Sequence, residues 1–461
     1  MTSIQKTISP VDNSVYVQRQ QATMKEITHA VSTAGAAQAE WNTVPLAKRQ
    51  DLCSAAISSL LENKSAIAEE LCWQIGRPIR QSEGEIRGVA ERARYMIDVA
   101  PEALSTIYPT SKNGYKRYIR REAVGTVLVI APWNYPYLTA INAIIPALLA
   151  GNSVLLKHSA QTPICAERLF QAFESAGLPK GVFQYLHLSH QHTESLIADP
   201  GVDYVAFTGS VEGGEIVEKA AAGRFIGVGL ELGGKDPAYV RADADLDHAA
   251  ATIVEGAFFN SGQSCCGIER VYLHESIHDN FIEKAVEIVK GYKLGRPDES
   301  DTTLGPVVRS SSAEYIRRQI KDALEKGGVA QINPDEFPLN ADGSPYLAPQ
   351  IVTNANHTMR LMTEESFGPV IGVQKVANDS EAIRLMNDSD FGLTASIFTC
   401  DTEEAESLGK KLQVGTFYVN QCDYLDPALA WSGVKRSGRG CTLSKLGYSS
   451  LTRPKSFNIK I

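Results

Sequence analysis

The stretch from Tyr115 to Ala131 reads YKRYIRREAVGTVLVIA, and its two halves decide the fold. The first half alternates charged residues with aromatic or β-branched ones, the period of an exposed ribbon. The second ends in Val127-Leu128-Val129-Ile130, an unbroken apolar run of the kind buried on both faces of a parallel sheet. From there to about Gly229 the pattern repeats. Val154-Leu155-Leu156 precedes a helix from about Pro163; Val182 to Leu186 and another helix follow, then Tyr204-Val205-Ala206-Phe207. Strand–helix–strand repetition implies an α/β fold, a parallel sheet with helices on both faces. A second alternating block runs from near Gly229 past Asn420.

Upstream, apolar residues recur at helical spacing from Met24 to Ala39 and from Ala47 to Ile75 (Leu60, Leu61, Ile67, Leu71), so helices dominate the first hundred residues. Downstream, Leu451 to Ile461 carries Pro454 and ends SFNIKI, an extended edge strand. No internal repeat or low-complexity segment interrupts the chain.

Composition narrows the function. The 461 residues suffice for roughly three domain-sized units. A formal net charge of −8 argues against a chain that tracks nucleic acid or anionic lipid, both of which need a basic footprint. Eight cysteines are too sparse for a disulfide scaffold. The apolar run Thr139–Ala150 carries Asn142 and is too short to cross a bilayer. Met1 to Lys6 has neither an apolar signal core nor an arginine-rich stretch, so the expectation is a reduced, cytoplasmic protein with no membrane partner.

Five motifs carry chemistry. Asn260-Ser261-Gly262-Gln263-Ser264-Cys265-Cys266 surrounds two thiols with small residues that leave room for a carbonyl to approach. Glu231-Leu232-Gly233-Gly234-Lys235-Asp236-Pro237 puts a carboxylate, a general-base candidate, at the end of a strand. In Pro132-Trp133-Asn134-Tyr135-Pro136 an amide that can donate to an oxyanion is fixed between two prolines. Phe207-Thr208-Gly209-Ser210-Val211-Glu212-Gly213-Gly214 offers free N–H groups at a helix start, which suit a pyrophosphate. In Glu364-Glu365-Ser366-Phe367-Gly368-Pro369-Val370 an acid and an aromatic ring suit a ribose and a nicotinamide. Taken singly, each also reads as an inert cysteine, a solvated acid or a braced loop.

Together and in this order, the motifs resemble the aldehyde dehydrogenase superfamily from about Ile8 to the C-terminus. The blocks Phe391–Ala395 and Ser432–Gly438 fit as well. The resemblance implies a Rossmann-like cofactor domain over 1–110 and 124–229 and an α/β catalytic domain over 230–446. A small β oligomerisation arm would be built from 111–123 and 447–461, giving a homodimer or homotetramer. It makes Cys265 the nucleophile rather than Cys266, Glu231 the base that hydrolyses a thioester, and Asn134 with the Cys265 N–H the oxyanion holder.

The implied cofactor is NADP or NAD. Its site would use Trp133, Lys157, Ser159, Gly209, Ser210, Gly214, Leu232, Gly233, Glu365 and Phe367. NAD-preferring members of the family usually carry a glutamate three residues after the lysine, where this chain has Ala160, so NADP is expected to be accepted.

The aldehyde tunnel would be lined by Tyr135, Leu138, Asn142, Phe259, Leu425 and Trp431. Succinic-semialdehyde members place arginines where this chain has Asn142 and Phe259. Without those cations a substrate carboxylate goes unpaired, which demotes succinic semialdehyde, and Asn142 in an otherwise aromatic tunnel points to a hydroxylated, sugar-derived aldehyde. A simple aliphatic or aromatic aldehyde, or a succinic-semialdehyde-like substrate, is the alternative, and a silent binding protein or a thiol esterase on the same fold is the rival class. His187-Leu188-Ser189-His190-Gln191-His192 is read as a surface loop and Cys266 as a spectator; no metal site is expected.

Overall fold

The computed structural model describes residues 3–461. It opens on a hairpin that the helical reading of the first hundred residues omits. Strand β1 (Ile4–Ile8) pairs antiparallel with β2 (Val15–Gln20) across a turn in which Asn13 takes a left-handed φ of 61°. Both strands are short and mostly exposed, so apolar periodicity does not register them.

Four helices follow: α1 (Met24–Trp41), α2 (Leu46–Glu62), α3 (Lys64–Ile75) and α4 (Ile79–Ala103). The expected Ala47–Ile75 run is thus two helices, parted at Asn63. A capping box starts α1, with Thr23 Oγ1 accepting from the Glu26 N–H and the Glu26 carboxylate accepting from the Thr23 N–H. Helix α4 buries one stripe, Ile86, Val89, Ala90, Ala93, Met96 and Ile97, against α5 (Pro136–Ala150).

After β3 (Tyr115–Ala123) comes β4 (Thr126–Ala131), the apolar run of the sequence, with every residue buried. Strand β5 (Ser153–His158), α6 (Pro163–Ser175), β6 (Phe183–Tyr185), α7 (His190–Ile197), β7 (Tyr204–Thr208), α8 (Val211–Ala221) and β8 (Gly227–Glu231) complete a parallel sheet in the order β6-β5-β4-β7-β8. The strand order reverses at β4. Sheets of this kind receive ligands at the carboxyl ends of the strands beside such a reversal.

The second sheet is built from β9 (Asp236–Val240), β10 (Ile268–His274), β11 (Val329–Ala330), β12 (Gln350–Thr353) and β13 (Val370–Val376), with α9 (Leu246–Phe258) between the first two. After β14 (Phe391–Gly392), strands β15 (Thr394–Phe398) and β16 (Thr416–Val419) finish it in the order β11-β12-β13-β10-β9-β15-β16. All its pairings are parallel except that of β11.

The chain then pairs β17 (Val434–Lys435) with β14 and returns to the first sheet. There β18 (Gly438–Arg439) lies antiparallel on β8, Gly438 opposite Glu231. The range 230–446 expected for the catalytic domain thus includes a strand that joins the first sheet. Last, β19 (Thr452–Lys460) runs antiparallel along all of β3, with Tyr118 and Phe457 stacked at 4.5 Å. Pro454 is tolerated because the ribbon has only two strands and an open edge. No helix among the described residues is long and apolar enough to cross a membrane.

Candidate active site

Three loops meet where the two sheets face each other. Glu231 is the last residue of β8, Asn134 lies in the turn after β4, and Cys265 lies between α9 and β10. A buried ion pair fixes the second of these. Arg77 pairs with Glu85, and both are buried. Glu85 also accepts the Tyr137 N–H at 2.8 Å, placing a carboxylate at the N-terminus of α5. Arg77 donates to the Asn134 carbonyl and to Asn260 Oδ1 and covers the Tyr135 ring at 4.6 Å. Removing either partner of such a pair costs about 3–5 kcal/mol, because a lone charge stays buried.

The cysteine loop is wound left-handed. Asn260, Ser261 and Gly262 have φ of 52°, 57° and 71°. That strain at two non-glycine residues is held by side-chain hydrogen bonds: Asn260 Nδ2 to the Asn134 and Gln263 carbonyls, and Ser261 Oγ to the Gly305 carbonyl. Gly234 is required, because a Cβ there would strike the Cys265 carbonyl. The backbone after Glu231 therefore passes directly behind Cys265. Asn134 is buried, its amide donating to the Gln263 carbonyl at 3.2 Å.

Cys265 and Glu231 both line a cavity of about 500 Å³, well within the size of small-molecule sites. All six expected tunnel residues, Tyr135, Leu138, Asn142, Phe259, Leu425 and Trp431, are on its wall. On its other side Glu231 borders a second space of about 30 Å³, room for one water. Glu231 accepts from the Thr442 hydroxyl at 2.6 Å and the Thr208 hydroxyl at 3.2 Å. Burial raises its carboxyl above the ordinary value, while those two hydroxyls and the Arg92 charge pull the other way.

The two neighbouring thiols differ. Cys265 is half-buried, whereas Cys266 is buried and donates to Asp423 Oδ1 at 2.9 Å. Cys265 beside it, burial and the Asp423 carboxylate all hold the Cys266 thiol well above its usual range.

The expected cofactor residues gather along the carboxyl edge of the first sheet. Lys157 is the penultimate residue of β5, before His158; burial lowers its pKa, and no carboxylate among the described residues pairs with it. Burial pushes His158 down to about 3, and its ring is spent on the Pro136 carbonyl, the Ser159 N–H and the Thr162 hydroxyl. Ser159 Oγ accepts from the Gln161 N–H.

Ser210 caps α8 by accepting from the Gly213 N–H, and Gly209 and Gly213 leave space filled by the Phe207 ring. Gly214 abuts Leu232. Glu365 accepts the Gly234 N–H at 3.0 Å and lies so close to Gly233 that a Cβ there would meet its carboxylate. Burial, then Glu269, push Glu365 up to about 8. Trp133 and Phe367 meet edge to face at 5.5 Å.

The motif reading misses several site residues, among them Arg77 and Glu85, Thr442, Glu269, Asp423 and Arg92. Glu269 accepts the N–H groups of Ser366 and Phe367, each at 2.8 Å, and the Lys235 ammonium, so it holds the turn in which Phe367 has φ 53°. Arg92 projects from α4 into the cavity and overturns the premise that the tunnel has no cation, on which the case against succinic semialdehyde was built. Nothing in the stretch Glu91-Arg92-Ala93-Arg94 separates it from a solvated helix face.

The histidine run is corrected too. Only its first part is a loop, because α7 begins at His190, and His187 is tucked against Glu167 at 3.1 Å rather than on the surface. Among the described residues there is no cluster of three or more side chains arranged for a metal.

The model of the aldehyde dehydrogenase family matches residues 2–457. The chain belongs to the aldehyde dehydrogenase family. Within that family it is 34% identical to the 3-sulfolactaldehyde dehydrogenase of Priestia aryabhattai, covering 94% of this chain and 90% of that one. It is 31% identical to a succinate semialdehyde dehydrogenase [NAD(P)+] of Escherichia coli over 92% of this chain and 90% of that one. The crystal structure of NADP-dependent glyceraldehyde-3-phosphate dehydrogenase from Bacillus halodurans, complexed with NADP, superposes with a TM-score of 0.93 at 33% identity. That match covers 99% of this aldehyde dehydrogenase and 96% of the other.

Proposed function

We propose that this aldehyde dehydrogenase oxidises a polar, oxygen-bearing aldehyde to its acid with NADP or NAD, through a thiohemiacetal and a thioester on Cys265. The observation that carries the reading is that Cys265 and Glu231 open on one cavity.

Cys265 Sγ attacks the carbonyl carbon, and the Asn134 amide and the Cys265 N–H take the developing oxyanion. Bound NADP or NAD supplies the hydride acceptor that lets the sulfur adduct go on to a thioester. Glu231 then takes a proton from water, which attacks the thioester and frees Cys265. Acid release, rather than acyl transfer, is the outcome favoured by a base that opens on the same cavity as Cys265.

The residues fit a dinucleotide. Lys157 is a cation without a carboxylate partner at a sheet edge, the N-terminus of α8 opens at the same edge with Gly213 and Gly214 in its first turn, and Glu365 is a largely buried carboxylate that can accept from a ribose hydroxyl. Lys157, Ser159 and Ser210 would hold the phosphates and adenosine ribose, Glu365 the nicotinamide ribose, and Trp133 and Phe367 the ring. The hairpin braces this region, with Thr7 Oγ1 donating to the Ala160 carbonyl and Gln161 Nε2 to the Ile8 carbonyl. The arm of β3 and β19 is the surface we assign to a homodimer or homotetramer.

The reading is tested by following reduced nicotinamide with NAD and with NADP across sugar-derived, aliphatic, aromatic and semialdehyde substrates. Turnover with at least one aldehyde is expected, and none with any would overturn it. Two variants probe the cofactor side. Ala160→Glu supplies the carboxylate that NAD-preferring relatives are expected to carry three residues after the lysine, and the NADP/NAD ratio of kcat/KM should fall by about tenfold or more. Glu269→Gln keeps the size but loses the charge that gathers two N–H groups and Lys235. The KM for the cofactor should rise by about tenfold with a smaller change in kcat, measured by initial rates at saturating aldehyde.

A further inference from the structure

Arg92 is a cation inside the reaction cavity with most of its hydrogen-bonding capacity unused. It leaves α4 between Glu91 and Ala93 and lines the same wall as Cys265. Only its Nη1 has partners, the Leu138 carbonyl and Asn142 Oδ1, each at a long 3.4 Å. Among the described residues it forms no ion pair, although the Glu231 and Glu85 charges act on it. The carboxylates on the cavity wall have other donors. Asp423 accepts from Ser264 and Cys266, Glu231 from Thr208 and Thr442, and Glu85 is held by Arg77. Glu91, held by the Tyr424 hydroxyl, and Glu255 are exposed on the rim. The guanidinium is half-buried and its remaining N–H groups open on the cavity, where the oxygens of an incoming ligand can take the place of water.

The partner's chemistry follows from what faces it. Asn142 turns its oxygen to Arg92, so the amide end left for the cavity is its NH₂ group. Arg92 has no acceptor at all. The two side chains therefore present only donors, a patch that matches an acceptor-only group and repels an amine. A guanidinium fork suits two oxygens of one oxyanion better than a single hydroxyl.

We propose that Arg92, with Asn142 beside it, binds the oxyanion at the far end of the aldehyde, a carboxylate or a phosphate, and so selects anionic aldehydes over neutral and amine-bearing ones. This rests on the proposed oxidation at Cys265 and deepens it by naming the substrate class.

The test compares matched pairs in the wild type, Arg92→Gln and Arg92→Lys: succinic semialdehyde against butanal, and glyceraldehyde 3-phosphate against glyceraldehyde. The readout is the ratio of kcat/KM, anionic over neutral, within one preparation, which is independent of how much of a variant folds. The ratio should exceed one in the wild type for at least one pair and fall about 10- to 100-fold in Arg92→Gln, chiefly through KM. Arg92→Lys should sit between, because it keeps the charge and loses the fork. Whichever pair responds tells carboxylate from phosphate. An unchanged ratio in Arg92→Gln, or a wild type that prefers the neutral member of both pairs, overturns the proposal. Calorimetric binding of succinate and of 3-phosphoglycerate, the two products, is read beside it. Tenfold weaker binding in Arg92→Gln supports the site even if no aldehyde turns over, an outcome that would sink the oxidation reading alone. Equal binding of both products counts against Arg92.

Discussion

Replacing Cys265 with alanine will remove aldehyde oxidation almost entirely, by about 10,000-fold or more in kcat, because no other group can carry the covalent intermediate. The neighbouring thiol does not rescue it. Cys266 is buried, its S–H is directed to Asp423 Oδ1 at 2.9 Å, and its surroundings keep it protonated. Cys266→Ala should accordingly keep its turnover, while Cys265→Ala keeps its fold and its cofactor binding. Initial rates with the best aldehyde, together with a thermal melt with and without NADP, check all of this. Equal losses in the two variants would mean that the wrong sulfur has been assigned.

Glu231→Gln should fail later in the cycle. Glutamine preserves the volume between Thr208 and Thr442 but cannot take a proton from water, so steady-state turnover should drop by about 100- to 10,000-fold. The first half of the reaction does not need that base. Rapid mixing should therefore show a burst of reduced nicotinamide close to one equivalent per site, followed by a stall. The pH dependence gives a second check. A general base works only when ionised, and burial raises the Glu231 carboxyl above 4.5. Wild-type kcat should rise with pH through that elevated value and fall away on the acid side, and the residual rate of Glu231→Gln should lack this limb. A variant without a burst would place Glu231 before thioester formation instead of after it.

How much of this could be read from the sequence depends on how far apart the cooperating residues lie. The apolar run Val127–Ile130 specified a central strand because burial on both faces leaves a local signature, and β4 is buried throughout. The Tyr115 ribbon carried a period-2 pattern and the tail read as an extended edge strand, and the two are partners. The β1–β2 hairpin left no such mark, being short and exposed, although Pro10 to Ser14 has turn chemistry that could have flagged it.

The six tunnel residues followed from the family resemblance, and they converge on one wall. Arg92 did not. Its role comes from α4 lying against α5, which sets its guanidinium beside Asn142, fifty positions away. Glu269 and Asp423 were hidden for the same reason, since Glu269 acts on Phe367 and Asp423 on Cys266 across the second sheet. Local sequence gives the periodicity of an element, whereas a charged side chain's partner is chosen by tertiary packing.

The central claim is that the substrate carbon becomes bonded to Cys265. It is met most directly by quenching Glu231→Gln in acid during turnover with NADP and the best aldehyde, then weighing the protein and mapping its peptides. One acyl group per chain is expected, on the peptide bearing Cys265 and on that sulfur. Reduced nicotinamide formed without any acyl adduct, or an adduct on Cys266, would contradict it.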